Sequence, residues 1–533
     1  MTVVAKELPP WMSKKDKEEM ELLEAKKIKE RTKVSFKDRL LALRHARTIK
    51  YQWHTLPFFL MHMLVCAYAD ISSLEIVRAT SRSNFGSITK FMKKISVLVE
   101  LGIDLPRSIE ITRKDARLPY FRDFLQRFSQ IAKMGEDMIA FLNKEYGNFM
   151  IVYSSDMERS NTRLRRFTEA YSAILSSGIL IVMIMIFSGM IWGAGLEFIS
   201  AVVPGVIVIY GLFSVFFYVY SPVVKMISNS ERSENVERLL KFEKLLLRLT
   251  LIACTAVLVL LIFGLAPRDL GIIILSVAGL PLLIIGYLGR RRIKVIESLD
   301  ERFPEFMTML TTSLSNLGTS IIYAFQDIAK LDFGKLSPHI KSLAAKFGVG
   351  ISKTKSWESF KKNTSSELIR IHVEAFNEAS LYGSPAKVFG PLITNSSIFL
   401  LTLRKRVEET AALMRGIVVP MHPILCAIMG LIMAIVETFS EMFKQFQHSG
   451  ISIVFGRMLS VSGIATYVYI LIFALSIINA FIIHEISGEQ EFNMSFHTGL
   501  FLLSGWMAYY LCLTLVANYL SYIGLSRMVP VPF

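Results

Sequence analysis

RRIKVIESLDERFPEFMTMLTTSLSNL, residues 291 to 317, opens a polar, helix-patterned stretch that runs to Ala412. Phe303, Met307, Leu310, Leu314 and Leu317 recur at three- or four-residue spacing, and Ile369, Val373 and Phe376 repeat the pattern, so each stripe predicts a helix with one apolar face. On both sides lie blocks of apolar sequence with uncharged runs of about 20 residues, the length a bilayer crossing needs. The chain is therefore expected to be all-α, a polytopic membrane protein carrying polar helical domains. A domain hung on membrane helices in this way is a docking platform or a gate.

Working outward, spans are predicted at Tyr171 to Gly193, Ile199 to Tyr220, Thr250 to Ala266, Leu270 to Leu288, Gly416 to Thr438, Met458 to Ile483 and Phe496 to Leu525, about seven transmembrane helices in all. Pro281 is expected to kink the fourth. Leu56 to Ala69 is apolar but too short: 14 residues rise only about 21 Å against ~30 Å of hydrocarbon, so it is predicted to be a buried helix of a soluble domain. The resulting plan is a charged arm (1–54), a helical domain (55–170), four spans with a basic loop at 221–249 (171–289), a second helical domain (290–412) and three spans (413–533). Phe439, Met442, Phe443 and Phe446 predict an outer interfacial segment at 439–457.

The formal charge of +16 raises nucleic acid as a partner. However, 55 of the 60 Lys and Arg residues fall in 1–170, 221–249 and 290–412, the segments this plan places in the cytoplasm. The positive-inside rule accounts for that bias, and nucleic acid drops out. No cleavable signal peptide is visible, which puts the N-terminus inside as well. One connection stays unsupported by charge: the loop from His484 to Phe496 carries Glu485, Glu489 and Glu491 and no Lys or Arg.

Sliding the chain on itself by 248 residues superposes Ser72 on Ser320, Phe128 on Phe376, Gly135 on Gly383 and Phe141 on Phe389. Both helical domains then end in a glycine suited to a tight turn, followed by a basic step into the membrane, Leu164-Arg165-Arg166 and Leu403-Arg404-Lys405. The domains are read as a duplication.

With its F-x6-G element at Phe128 and Phe376, its GIDLPRSIE at Gly102 echoed by GTSIIYAFQ at Gly318, and its order of domain, spans, domain, spans, the chain resembles the type II secretion system F family of membrane platform proteins, and within it the archaeal J subunits of the archaellum. The resemblance covers residues 55 to 525. It implies a non-enzymatic platform in the cell membrane, docking a hexameric motor ATPase through cytoplasmic domains and serving filament (pilin-like) subunits, with other motor subunits and a second copy of itself as further partners.

The residues agree with a platform by what they lack. No G-x4-G-K-[ST] phosphate cradle is present, the single HE pair at His484 lacks a second histidine, and the four cysteines have no paired spacing, so no cofactor or metal is expected. His422, between Pro420 and Pro423, is the main ionisable group inside a span, expected to be satisfied by carbonyls those prolines free. The candidate partner-binding residues are Arg290, Arg291, Arg292, Lys294, Arg404, Lys405 and Arg406, each serving topology as well. Gly102, Gly135, Gly318 and Gly383 are the candidate turns of the repeat. An archaeal adhesive pilus platform and a transporter with regulatory domains are the other readings.

Overall fold

The computed structural model describes residues 36–192, 195–228, 230–317, 321–448, 461–488 and 490–523. Residues Met1–Tyr51 and Gln52–Phe533 form separate compact units. In the first, the described residues are the opening of a helix, with the Arg47 guanidinium over the Tyr51 ring. Most of the expected N-terminal arm, Gly318 and residues 449–457 lie outside the described residues.

In chain order the helices are α1 (Phe36–Ala67), α2 (Ser73–Arg82), α3 (Ser87–Glu100), α4 (Leu105–Arg113), α5 (Pro119–Met134), α6 (Met138–Trp192), α7 (Gly195–Tyr220), α8 (Glu234–Ile262), α9 (Arg268–Val277), α10 (Gly279–Leu317), α11 (Ile321–Ile328), α12 (Ser337–Gly348), α13 (Lys353–Thr364), α14 (Glu367–Leu381), α15 (Ala386–His448), α16 (Val461–Ile486) and α17 (Asn493–Tyr522). The described secondary structure is all-α, with one isolated bridge between Ile227 and Ser366.

The duplication is visible helix by helix. α2 and α11, α4 and α13, α5 and α14, and α6 and α15 begin at positions 248 residues apart. Asn84-Phe85-Gly86 and Asp332-Phe333-Gly334 make the same turn in each copy. The Asn84 and Asp332 side chains accept from the Gly86 and Gly334 N–H at 3.1 and 2.9 Å, and both glycines sit at positive φ, 61° and 59°. Phe85 and Phe333 are buried beneath, edge-on to Phe59 and Phe306. The counterpart of Gly102 (φ 89°) is not Gly318 but Gly350 (φ 83°), each followed by a helix cap, Asp104 or Ser352. Positive φ explains the residue: a Cβ there would strain the backbone.

Among the described residues seven helical segments are long and apolar enough to cross a membrane: Met138–Ser188, Ile199–Tyr220, Glu234–Ile262, Arg268–Ser315, Ala386–Met442, Val461–Ile486 and Asn493–Tyr522. α1 is absent from them, and its residues Leu56 to Ala67 are buried, as a core helix requires. The expected boundaries between domain and span do not exist as breaks. α6, α10 and α15, of 55, 39 and 63 residues, run through them without interruption. At 1.5 Å per residue α15 is about 95 Å long. Its continuity to His448 also replaces the start of the separate interfacial helix expected at 439–457. The kink predicted at Pro281 is an interruption at a single residue, Ala278, which keeps right-handed helical dihedrals; the proline ring collides with the carbonyl four residues back, that of Val277, the last residue of α9.

Inside the membrane segment α17 lies against α10, α15 and α16. Glycine permits the approach: a Cβ on Gly279 would come 2.5 Å from the Gly499 carbonyl oxygen, and one on Gly499 would come 2.6 Å from that of Gly279. Small residues that let backbones touch are the usual means of packing helices in lipid, where no hydrophobic effect drives them together.

Candidate functional site

Buried polar groups and ion pairs meet at the junction between spans and domains. Of residues 221–249, expected to be a basic loop, 234–249 are instead the first turns of α8, and the described residues 221–228 and 230–233 form a strap across the second repeat. The Ser228 N–H donates to the Ser365 carbonyl (2.9 Å), the Glu367 N–H to the Met226 carbonyl (3.0 Å) and the Ser233 N–H to Ser365 Oγ (2.9 Å). Lys361 Nζ reaches Glu231 at 2.7 Å. Beneath the strap Met226 and Ile227 pack with Ile293 and Ile296 of α10 and with Phe492. The Val224 N–H donates to the Gly488 carbonyl at 3.1 Å, which places the α16–α17 loop beside the strap, on the side of the helical repeats. The acidic loop that charge could not orient is thus oriented by contact.

Two buried arginines anchor this junction. Arg404 of α15 pairs with Asp300 of α10, itself fully buried, and donates to the Lys225 carbonyl at 2.8 Å; Ser366 Oγ donates to the same carboxylate at 2.5 Å. Arg370 of α14 is 2% exposed and donates to Glu367 (2.6 and 2.8 Å), to Glu374 (2.9 Å) and to the Asn84 carbonyl of the first repeat (3.1 Å). Burial opposes its charge, but Glu367 and Glu374 more than offset this and raise its pKa. A cation so desolvated is costly to strand, because removing one partner leaves an uncompensated charge.

Against this geometry the seven candidate cations separate. Arg291, Arg292, Lys294, Lys405 and Arg406 are exposed, with Arg406 reaching Glu158 of α6 at 2.9 Å. Arg290 is half-buried, its guanidinium 4.4 Å from the centroid of Phe496. Arg404 is a correction: at 7% exposure and paired with Asp300 it holds the junction and offers a partner nothing. Arg370 and Asp300 went unremarked in the sequence, although the 248-residue offset sets Arg370 on Arg122.

Deeper in the bundle, His422 is held by side chains rather than by carbonyls freed at the prolines. Asn479 Nδ2 donates to its Nδ1 at 3.1 Å, Ser476 Oγ lies 3.3 Å from Nε2, and the Tyr171 hydroxyl donates to Asn479 Oδ1 at 2.5 Å. Those contacts join α6, α15 and α16, a use that polar groups in spans commonly have. Gly505 of α17 makes room for the ring. Near the opposite end of the spans Arg268 pairs with Glu437 at 2.5 Å. The four cysteines are free, and among the described residues no group of His, Cys, Asp and Glu is arranged to hold a metal ion.

Comparison with known proteins agrees with this architecture. Residues 59–187 match the family described as type II secretion system (T2SS), protein F. Over 462 residues the chain is 22% identical to a flagella accessory protein J of Methanocaldococcus jannaschii, covering 82% of this chain and 81% of that protein. It is 24% identical over 364 residues to a flagella accessory protein J of Methanococcus voltae, covering 65% and 64%. No solved structure matches. The family resemblance read from the sequence is therefore borne out, and the described helices of span length are those of a multi-pass membrane protein.

Proposed function

We propose that this chain is the membrane platform of a type IV pilus-like machine of the archaellum type. Its helical repeats lie in the cytoplasm and dock a ring-shaped ATPase, and its bundle passes that ATPase's movement to filament subunits in the membrane. The supporting observation is continuity: α6, α10 and α15 pass from the repeats into the spans with no loop between. A rigid element shared by two regions transmits a displacement that a flexible linker would absorb. The strap at 221–233 and the Asp300–Arg404 pair bind the second repeat to the same helices, so it cannot turn alone. The concentration of Lys and Arg on the side of the repeats supports a cytoplasmic placement, and the similarity to two flagella accessory J proteins favours an archaellum over an adhesive pilus.

The docking cations under this reading are the exposed ones, Arg291, Arg292, Lys294, Lys405 and Arg406, which steer an acidic partner and set its register. The test uses the full chain in nanodiscs and the purified ring ATPase of the same organism, at low and high salt. Reversing the five cations to glutamate is expected to weaken binding and flatten its salt dependence. Failure of the unaltered chain to bind at either salt concentration removes the docking claim.

A further inference from the structure

The two repeats pack on each other head to tail, and this leaves one unused face on each. In the first repeat Leu60, Met61, Leu64, Val65, Ala79 and Ser83 are all buried. The covering element is the α14 edge of the second repeat: Arg370 bonds the Asn84 carbonyl, Ser384 Oγ donates to the Val65 carbonyl at 3.2 Å, and Glu378 feels the charge of Arg82. Move 248 residues along, and the counterparts are Thr308, Met309, Thr312, Ser313, Asp327 and Leu331. These line an open groove of about 410 Å³ on α10 and α11, with Met309 39% and Leu331 45% exposed. The surface that is covered in one copy is bare in the other, with Ser313 half-buried and the remaining five counterparts exposed.

The covering edge is duplicated too. Arg370, Glu378 and Ser384 correspond to Arg122, Gln130 and Glu136 at the α5 edge of the first repeat, and all three of these are exposed. An interface between unlike faces of equivalent units does not close on itself, so it leaves a donor face and an acceptor face free for another unit. We propose that a second copy of this chain fills the groove, seating its α5 edge on α10 and α11 as α14 seats on α1 and α2 within one chain.

Transferring the three internal contacts names the new ones, and their chemistry is complementary. Arg122 meets Asp332 where Arg370 meets Asn84, an opposite-charge pair. Gln130 meets Lys330 where Glu378 faces Arg82, and Glu136 meets the Ser313 hydroxyl where Ser384 meets Val65. Asp332 is kept ionised by the Gly334 N–H and the Ser337 hydroxyl, which lower its pKa. Among the described residues Arg122 has the weak company of Asp123, at 4.0 Å. The equivalence of α6 and α15, which both run from repeat into span, sets both faces at the same height above the membrane, as two copies in one bilayer require. Leu60, Leu64 and Val65 are replaced by Thr308, Thr312 and Ser313, so the contact between copies is polar and reversible where the internal one is permanent. The inference is independent of what the machine assembles or which ATPase drives it.

Two differently tagged full-length copies, one Q130C and one K330C, both with Cys512 replaced by Ala, are co-expressed and treated in membranes with a short bis-maleimide. A cross-linked heterodimer is expected, while Q130C with Q130C and K330C with K330C give none. D332R in the acceptor copy is expected to abolish the product, and R122D in the donor copy to restore it. An intramolecular R82C/E378C pair reports that the repeats are folded and packed. If that control cross-links while Q130C with K330C does not, or if K330C is captured by a different protein or by its own face, the second copy is not the occupant. Failure of R122D to restore the product also overturns it.

Discussion

Arg122 and Arg370 hold the same position in the two repeats, and their surroundings are opposite. The first is half exposed; the second is buried between two carboxylates. The sequence around each has followed its burial: Arg370 has Glu367 three residues before and Glu374 four after, where Arg122 has Pro119 and Gln126. What differs is not the helix but what covers it. Duplicated units that pack head to tail cannot keep equivalent residues in equivalent environments.

The largest expected effect comes from that pair. Arg370→Met leaves the partly buried Glu367 without its cation and Glu374 with Lys361 alone, and is expected to cost about 3 kcal/mol, read as a lowered unfolding temperature in detergent. Arg122→Met is expected to stay within about 0.5 kcal/mol. Similar losses at both sites would break the comparison.

The same contrast extends into the membrane. α17 and α8 are the third spans after their respective repeats, yet α17 is packed among four helices, α9, α10, α15 and α16, while α8 faces outward with Leu249 and Ile252 exposed. α17 carries Gly499 and Gly505 where it meets α10 and α15, and α8 has no glycine. Gly499→Leu is expected to destabilise by about 1–3 kcal/mol or more, since the obstacle is backbone. Ala256→Leu, on an exposed position of α8, should leave the unfolding temperature unchanged.

Acid sensitivity sharpens the comparison further. His372 in α14 stands where the first repeat has Phe124, and burial lowers its pKa to about 4. A histidine with a lowered folded pKa contributes stability above its unfolded value of about 6.5, and this is lost as pH falls toward 4. His372→Phe should flatten the fall in unfolding temperature between pH 7 and 4.5. Part of the slope should survive through His62, whose pKa burial lowers to about 3. An unchanged slope would remove His372 as a source.

Glu491, in the loop packed beside the strap, gives the smallest effect and the opposite sign. Burial raises its pKa to about 7, Lys225 and Arg232 pulling the other way. A raised carboxylate contributes stability at pH values below about 4.5, lost as pH rises through 7. Glu491→Gln should therefore stabilise the protein at pH 8 and leave it unchanged near pH 4.5. Stabilisation at both values would point to something other than ionisation.

Much of the fold was legible because lipid and helix period are strict. Uncharged runs of span length, and stripes such as Phe303, Met307 and Leu310, admit few readings. The repeat is legible in Gly135 and Gly383, and more clearly in the turn at Asn84-Phe85-Gly86 and Asp332-Phe333-Gly334, which lies at the same offset. Arg404 misled for a physical reason: an arginine beside a span looks the same in sequence whether it faces water or a carboxylate 104 residues away.

The sequence by itself determined that this chain spans a membrane, where its basic residues concentrate and that its helical domain is doubled, because bilayer thickness, topology and helical period each act locally along the chain. Only the tertiary structure decided that three helices cross the membrane boundary unbroken, that a basic loop is a strap, that Arg404 and Arg370 are buried, and that one repeat is covered where the other is bare. Those depend on which surfaces meet, and contacts between residues hundreds of positions apart leave no periodic trace in either partner.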